Sequence, residues 1–257
     1  MNVRIQGTLL ACAMSMAGCV STTTVDDAQV SPEDAARYNV ELGWRYFQQG
    51  RLPLAREKLE RAVEQDPKLP EAHSALAMYY DYIDEDDKAR REYRTALRLR
   101  PDDPKILNSY GVFLCEHGDN DDALKHFLKA ADNRLYATPE VAYTNAGVCI
   151  KGEGEIEVSE QFFRRALVFN PRFGDALWNM ALLDYSRELY LPSRAFLERY
   201  LQVSPETPDA LWLGIQIERK LGAAAAANAY SERLKQAFPE STQTRILLEQ
   251  ERDAGSP

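Results

Sequence analysis

Histidine and cysteine are scarce in this 257-residue sequence, at three and four residues, and those present form no recognisable constellation. His73, His117 and His126 stand at unrelated positions, without an HExxH pair, a nucleophile elbow or a phosphate-cradling glycine loop after a strand. Gly152-Glu153-Gly154 reads as a turn between helices. An excess of positive charge is missing too. Against 31 Lys and Arg stand 40 Asp and Glu, a net charge of −9, and no stretch in which basic residues outnumber acidic ones for long, which argues against the clustered basic surface that nucleic acid requires. The apolar run at residues 7–16 is too short to cross a bilayer, which takes about 20 residues. These absences argue for a non-enzymatic protein with no cofactor, metal, nucleic acid or small-molecule substrate. The apolar fraction of 45% and charged fraction of 28% suit a soluble helical chain.

The first residues are a separate kind of text. A short, weakly positive start with Arg4, the apolar run and the small residues of Met16-Ala17-Gly18-Cys19 together read as an export signal over residues 1–18. The junction resembles a bacterial lipobox, with Met16 where that motif carries an aliphatic residue. The alternative is an ordinary secretory signal that contains a cysteine. The resemblance implies lipidation of Cys19, and Val20 in place of Asp after it implies sorting to the outer membrane, anchored on the periplasmic face. Removal of residues 1–18 takes away Arg4 alone, leaving 30 of the 31 basic residues against 40 acidic ones. Residues 19–35, with Ser21-Thr22-Thr23-Thr24 and Asp26-Asp27, read as a lipidated flexible tether.

Prolines set the frame of the remainder. Pro67, Pro101, Pro171, Pro205 and Pro239 are separated by 34, 70, 34 and 34 residues, and 70 is two repeats plus a small insertion. Thirty-four residues is the helix-turn-helix period of tetratricopeptide (TPR) repeats. With each proline counted as position 32, the repeats fall at 36–69, 70–103, 104–137, 140–173, 174–207 and 208–241. The first fills the signature slots with Leu42, Gly43, Tyr46, Gly50, Ala55, Leu59 and Ala62; the third does so with Tyr110, Gly111, Leu114, Gly118, Ala123, Phe127 and Ala130. Small residues at positions 8, 20 and 27 let the two helices approach, large ones at 4, 7, 11 and 24 fill between them, and proline stops the second helix. The sixth repeat is looser, with Glu218 and Ser231 where bulky residues are usual. The predicted fold is all-α: a TPR solenoid of about six repeats in a right-handed superhelix, closed by a capping helix within 242–257.

In such a solenoid the first helix of each repeat lines the concave wall, chiefly through positions 2, 5, 6, 9, 12 and 13. Here those slots place Val40, Trp44 and Phe47, then Met78, Asp81 and Tyr82, then Asn108, Val112 and Cys115. The strip is apolar, and favours an apolar protein segment as guest. Trp44 and Phe47 either line this groove or pack against the tether or a neighbouring helix. TPR proteins that grip terminal carboxylates carry Lys, Asn and Arg at set positions, and only Lys105 matches them here. His73, at inward position 4, reads as a core histidine. The acidic runs Asp84-Glu85-Asp86-Asp87 and Asp119-Asn120-Asp121-Asp122 read as solvated N-cap residues, not a metal site. Trp178 and Trp212 share one slot in adjacent repeats and read as packing or groove lining. Cys115 and Cys149 fall on helices expected to be neighbours, and the pair is either a disulfide or two buried thiols.

A lipobox followed by six repeats resembles the type IV pilus biogenesis lipoproteins of the PilF/PilW family over almost the whole chain. The particular cues are Asn108-Ser109-Tyr110-Gly111-Val112-Phe113-Leu114-Cys115-Glu116, Asn145-Ala146-Gly147-Val148-Cys149 and Leu234-Lys235-Gln236-Ala237-Phe238-Pro239-Glu240-Ser241. The resemblance implies a pilotin-like role, in which the protein binds the outer-membrane secretin of the type IV pilus and promotes its localisation and multimerisation. The competing expectation is a general outer-membrane TPR adaptor for β-barrel assembly or for peptidoglycan enzymes.

Overall fold

The computed structural model describes residues 31–151 and 154–254; the expected signal segment and Cys19 lie outside them. Thirteen helices and no strand occur among the described residues. In order they are α1 (Pro32–Gln48), α2 (Leu52–Gln65), α3 (Pro70–Tyr82), α4 (Asp86–Leu99), α5 (Pro104–Glu116), α6 (Asn120–Ala131), α7 (Pro139–Lys151), α8 (Ile156–Phe169), α9 (Gly174–Ser186), α10 (Tyr190–Leu201), α11 (Pro208–Lys220), α12 (Ala224–Ala237) and α13 (Thr242–Ala254). Successive helices pair as helix-turn-helix units, and each unit packs on the next, so the protein is an all-α TPR solenoid. Prolines open α3, α5 and α11, where a missing N–H costs nothing and the fixed φ suits a first turn.

The core follows the repeat slots. All six residues at position 20, namely Ala55, Ala89, Ala123, Ser159, Ser193 and Ala227, are buried. Position 24 supplies the fully buried Leu59, Phe127, Phe163 and Leu197, with Tyr93 nearly so. Each such side chain contributes roughly 1.5–3 kcal/mol by leaving water. The close approach is plain at Gly111, where an added Cβ would stand 2.7 Å from the Phe127 ring.

Several positions depart from the expected pattern. Helix α1 begins at Pro32, so residues 32–35, expected in the tether, form an extra first turn with Glu33 and Asp34 at the positive end of the helix dipole. In the sixth repeat the tight contact is between Gly214 and Tyr230, 2.8 Å from an added Cβ, each one residue ahead of slots 8 and 24. Ile215 and Ser231, which occupy those slots, are buried, and the Ser231 hydroxyl donates to the Ala227 carbonyl at 2.9 Å. Glu85 and Asp119 hold the N-cap positions of α4 and α6 but make no capping hydrogen bond through their side chains. Their runs act by charge instead, with Asp119 paired to Arg90 at 2.8 Å and Asp122 to Lys125 at 2.7 Å.

His73 is buried, its ring nitrogens 2.6 Å from Glu92 and 2.9 Å from the Pro67 carbonyl, and so fastens α3 to α4 and to the preceding loop. Burial alone would lower its pKa, but the contacts with Glu92 and Pro67 outweigh that and raise it. Helix α13 closes the stack by placing Leu247 against Leu211, Ile215 and Leu234. It leaves Ile246 and Leu248 exposed.

Candidate functional site

The first three repeats form one groove with α3 as its floor. Ser74, Ala75, Met78, Asp81 and Tyr82 recur at the spacing of one helical face, with Val40, Trp44 and Phe47 of α1 on one side and Ile106, Ser109, Val112 and Glu116 of α5 on the other. The groove comprises two adjoining cavities that share Met78 and Ser109. One, of about 440 Å³, lies toward the α3 to α4 turn and is lined by Phe47, Asp81, Tyr82, Tyr93, Asn108, Val112 and Glu116 besides. The other, of about 750 Å³, lies toward the start of α5 and also takes in Val40, Trp44, Arg100, Lys105 and Leu135.

Of the nine residues placed on the concave strip, all but Cys115 touch these cavities. Trp44 and Phe47 stack with ring centroids 5.2 Å apart, and Phe47 meets the edge of Tyr82 at 4.8 Å. These ring contacts make one continuous aromatic wall of the groove. Tyr82 is 62% exposed, a large apolar surface left open to solvent. Asn108 does not point free into the groove, because its Oδ1 accepts from Asn145 Nδ2 of α7 at 3.0 Å.

Cys115 and Cys149 are joined in a disulfide with their Cα atoms 5.8 Å apart. The bond ties α5, one wall of the groove, to α7 of the next repeat, and the Asn108–Asn145 contact joins the same two helices. Trp178 packs on Tyr200 at 5.3 Å, and Trp212 packs beside the cluster under α13; neither belongs to this groove.

Sequence positions alone did not bring in Arg100, Asp102, Asp103 or Leu135, which sit in loops between repeats, nor Tyr93 of α4. Arg100 is bound to Glu71 at 2.6 Å and to Asp103 at 3.0 Å, while Asp102 pairs with Lys129 at 2.9 Å. Asp81 is pushed above the usual carboxylate range, first by burial and then by the nearby charge of Glu116. His117 is raised mainly by its hydrogen bond to the Phe113 carbonyl at 2.7 Å, and its other ring nitrogen lies 3.2 Å from Asp86. Among the described residues no group of three His, Cys, Asp or Glu side chains is disposed to hold a metal ion, and no helix is long and apolar enough to cross a membrane.

Paired helices at a 34-residue period around an open apolar groove define a TPR scaffold, a class that works by protein–protein contact. Models described as TPR repeat and tetratricopeptide repeat match residues 43–81 and 74–138. The type IV pilus assembly protein PilF of Pseudomonas aeruginosa is 28% identical over 186 residues, spanning 72% of this chain and 74% of that protein. The solved structure of Pseudomonas aeruginosa PilF has a TM-score of 0.74 at 27% identity and covers 85% of this chain and 99% of its own. The crystal structure of PilW, a widely conserved type IV pilus biogenesis factor, also has a TM-score of 0.74, at 29% identity, covering 83% and 98%. This chain is a PilF/PilW-like TPR protein.

Proposed function

We propose that this protein is a type IV pilus biogenesis lipoprotein whose groove binds a segment of the secretin and promotes its outer-membrane localisation and multimerisation. The observation that carries the reading is the open aromatic and aliphatic groove along α3, walled by Trp44 and Phe47 on one side and Val112 on the other. The likeness to PilF and PilW along most of both chains supports the choice of pilus machinery as partner. Apolar side chains of the secretin would displace water from the groove, at roughly 25 cal/mol for each Å² buried. Acyl chains on Cys19 would hold the pair at the periplasmic face of the outer membrane, where confinement raises effective concentration without tight intrinsic affinity. The protein supplies position and no chemical step.

The test is capture of the secretin by the full-length protein in mild detergent. The Trp44→Ala/Phe47→Ala variant is expected to lose most of that capture, and cells carrying it to lose detergent-resistant secretin multimers. Undiminished capture by the variant overturns the groove assignment. Capture of β-barrel assembly or peptidoglycan enzymes in place of secretin would favour the general adaptor.

A further inference from the structure

The groove is electrically uneven along α3. At the end nearest the turns into α4 and α6, Asp81 and Glu116 line the smaller cavity together with Phe47, Met78, Tyr82 and Val112. Among the described residues neither carboxylate has a cation within ion-pair distance, and the neighbouring Asp84 and Asp86 add negative charge that His117 offsets only in part. The opposite end carries no such excess. There Glu71 and Asp103 share Arg100, Asp102 pairs with Lys129, and Lys105 on α5 brings three carboxylates and three cations into balance.

Two carboxylates set among apolar and aromatic side chains are worth more to a cation than carboxylates in open water. Local dielectric screening is weaker there, and the faces of Phe47 and Tyr82 offer cation–π attraction. A lysine or arginine stem would also cover apolar surface while its head reached the carboxylates. An acidic guest side chain at the same place would meet two like charges in a half-dry site.

We infer that the groove selects an apolar segment carrying one basic side chain, seated between Asp81 and Glu116, with the rest of the segment running along α3 toward Lys105. This rests on the groove being the partner site, and adds to it the sign and direction of the guest. From Ser74 to Tyr82 the floor is about 12 Å long at the helical rise of 1.5 Å per residue. It therefore holds about four extended residues or two turns of helix.

The experiment measures fluorescence anisotropy of three fluorescein-labelled decapeptides with the full-length protein in detergent. Each is built of Leu, Phe, Ala and Ser, with Lys, norleucine or Glu at one central position. The Lys peptide is expected to bind about tenfold tighter than the norleucine peptide at low salt and the Glu peptide weakest, with the spread collapsing at high salt. Asp81→Asn/Glu116→Gln is expected to erase the preference for Lys while still binding the norleucine peptide, with a melting temperature no lower than that of the wild type. Equal binding of the Lys and Glu peptides to the wild type overturns the inference, and so does a preference that survives in the variant. Failure of the groove reading looks different: no peptide binds the wild type, or all three still bind Trp44→Ala/Phe47→Ala.

Discussion

Arg194 of α10 clasps Glu218 of α11 across the boundary between the fifth and sixth repeats, with Nε donating to Oε1 at 2.7 Å and Nη2 donating to Oε2. The Glu218 side chain is only 4% exposed, at a slot that the first four repeats fill with Tyr, Leu or Ile. Taking such a carboxylate out of water costs several kcal/mol, and the bidentate guanidinium offsets most of that.

Removing one partner is therefore expected to be far worse than removing both. Arg194→Ala leaves a buried charge without a counter-ion and is expected to cost about 3 kcal/mol. Arg194→Met with Glu218→Leu is expected to lie within about 1 kcal/mol of the wild type, or above it. Urea denaturation of the two variants checks this, and equal losses would contradict it.

Asp184 occupies the same slot one repeat earlier, without such a clasp. It is 2% exposed, one carboxylate oxygen has no hydrogen-bond partner, and burial followed by the charge of Glu160 raises its pKa above the usual range. Folding thus favours the protonated form. The stability it contributes is complete below the ordinary aspartate pKa near 3.9 and is lost as pH rises through the folded value. Asp184→Asn is expected to stabilise the protein by on the order of 1 kcal/mol at neutral pH, with the gain vanishing toward pH 4. Melting temperatures of both proteins across pH 4–8 provide the measurement.

These two acids show where reading the chain as text stops. The 34-residue proline register and the small residues at positions 8 and 20 are local and periodic, so the solenoid was legible. The groove strip was legible too, because positions 5, 9 and 12 of a first helix face one way regardless of neighbours; Val40, Trp44 and Phe47 followed from counting. Glu218 stood out as an oddity, yet its partner is 24 residues away on another repeat. The loop-borne rim was hidden because Arg100, Asp103 and Leu135 sit in loops, whose reach into a groove depends on how successive repeats stack. Gly214 falls one residue ahead of slot 8 by count, and the packing against Tyr230, itself one residue ahead of slot 24, shows that the two shifts match.

The turn between paired helices needs a left-handed residue, which Gly50, Gly118, Gly154 and Gly222 provide with φ of 69° to 84°. Asp84 and Glu188 take that place in the second and fifth repeats with φ of 58° and 59°. Aspartate tolerates this region better than glutamate, since its short side chain can bond locally. Glu188→Gly is expected to raise stability by about 1 kcal/mol and Asp84→Gly by less, while Gly118→Ala is expected to lower it by a similar amount. Chemical denaturation of the three variants ranks them, and a destabilised Glu188→Gly would contradict the account.

The Cys115–Cys149 bond closes a loop of 34 residues between α5 and α7. A cross-link of that span restricts the unfolded chain by roughly 3–4 kcal/mol on the chain-entropy model. The helices it joins also pack through Asn108 and Asn145, so reduction is expected to loosen the third and fourth repeats without dissolving the stack. Because α5 is a wall of the groove, the same loosening reaches Val112 and Glu116. Cys115→Ser/Cys149→Ser is expected to lower the melting temperature by several degrees and to abolish its response to reductant. It should also speed hydrogen exchange in residues 104–151 more than in residues 208–254. Hydrogen exchange with and without dithiothreitol separates a local brace from a global one, and uniform acceleration along the chain would contradict the local account.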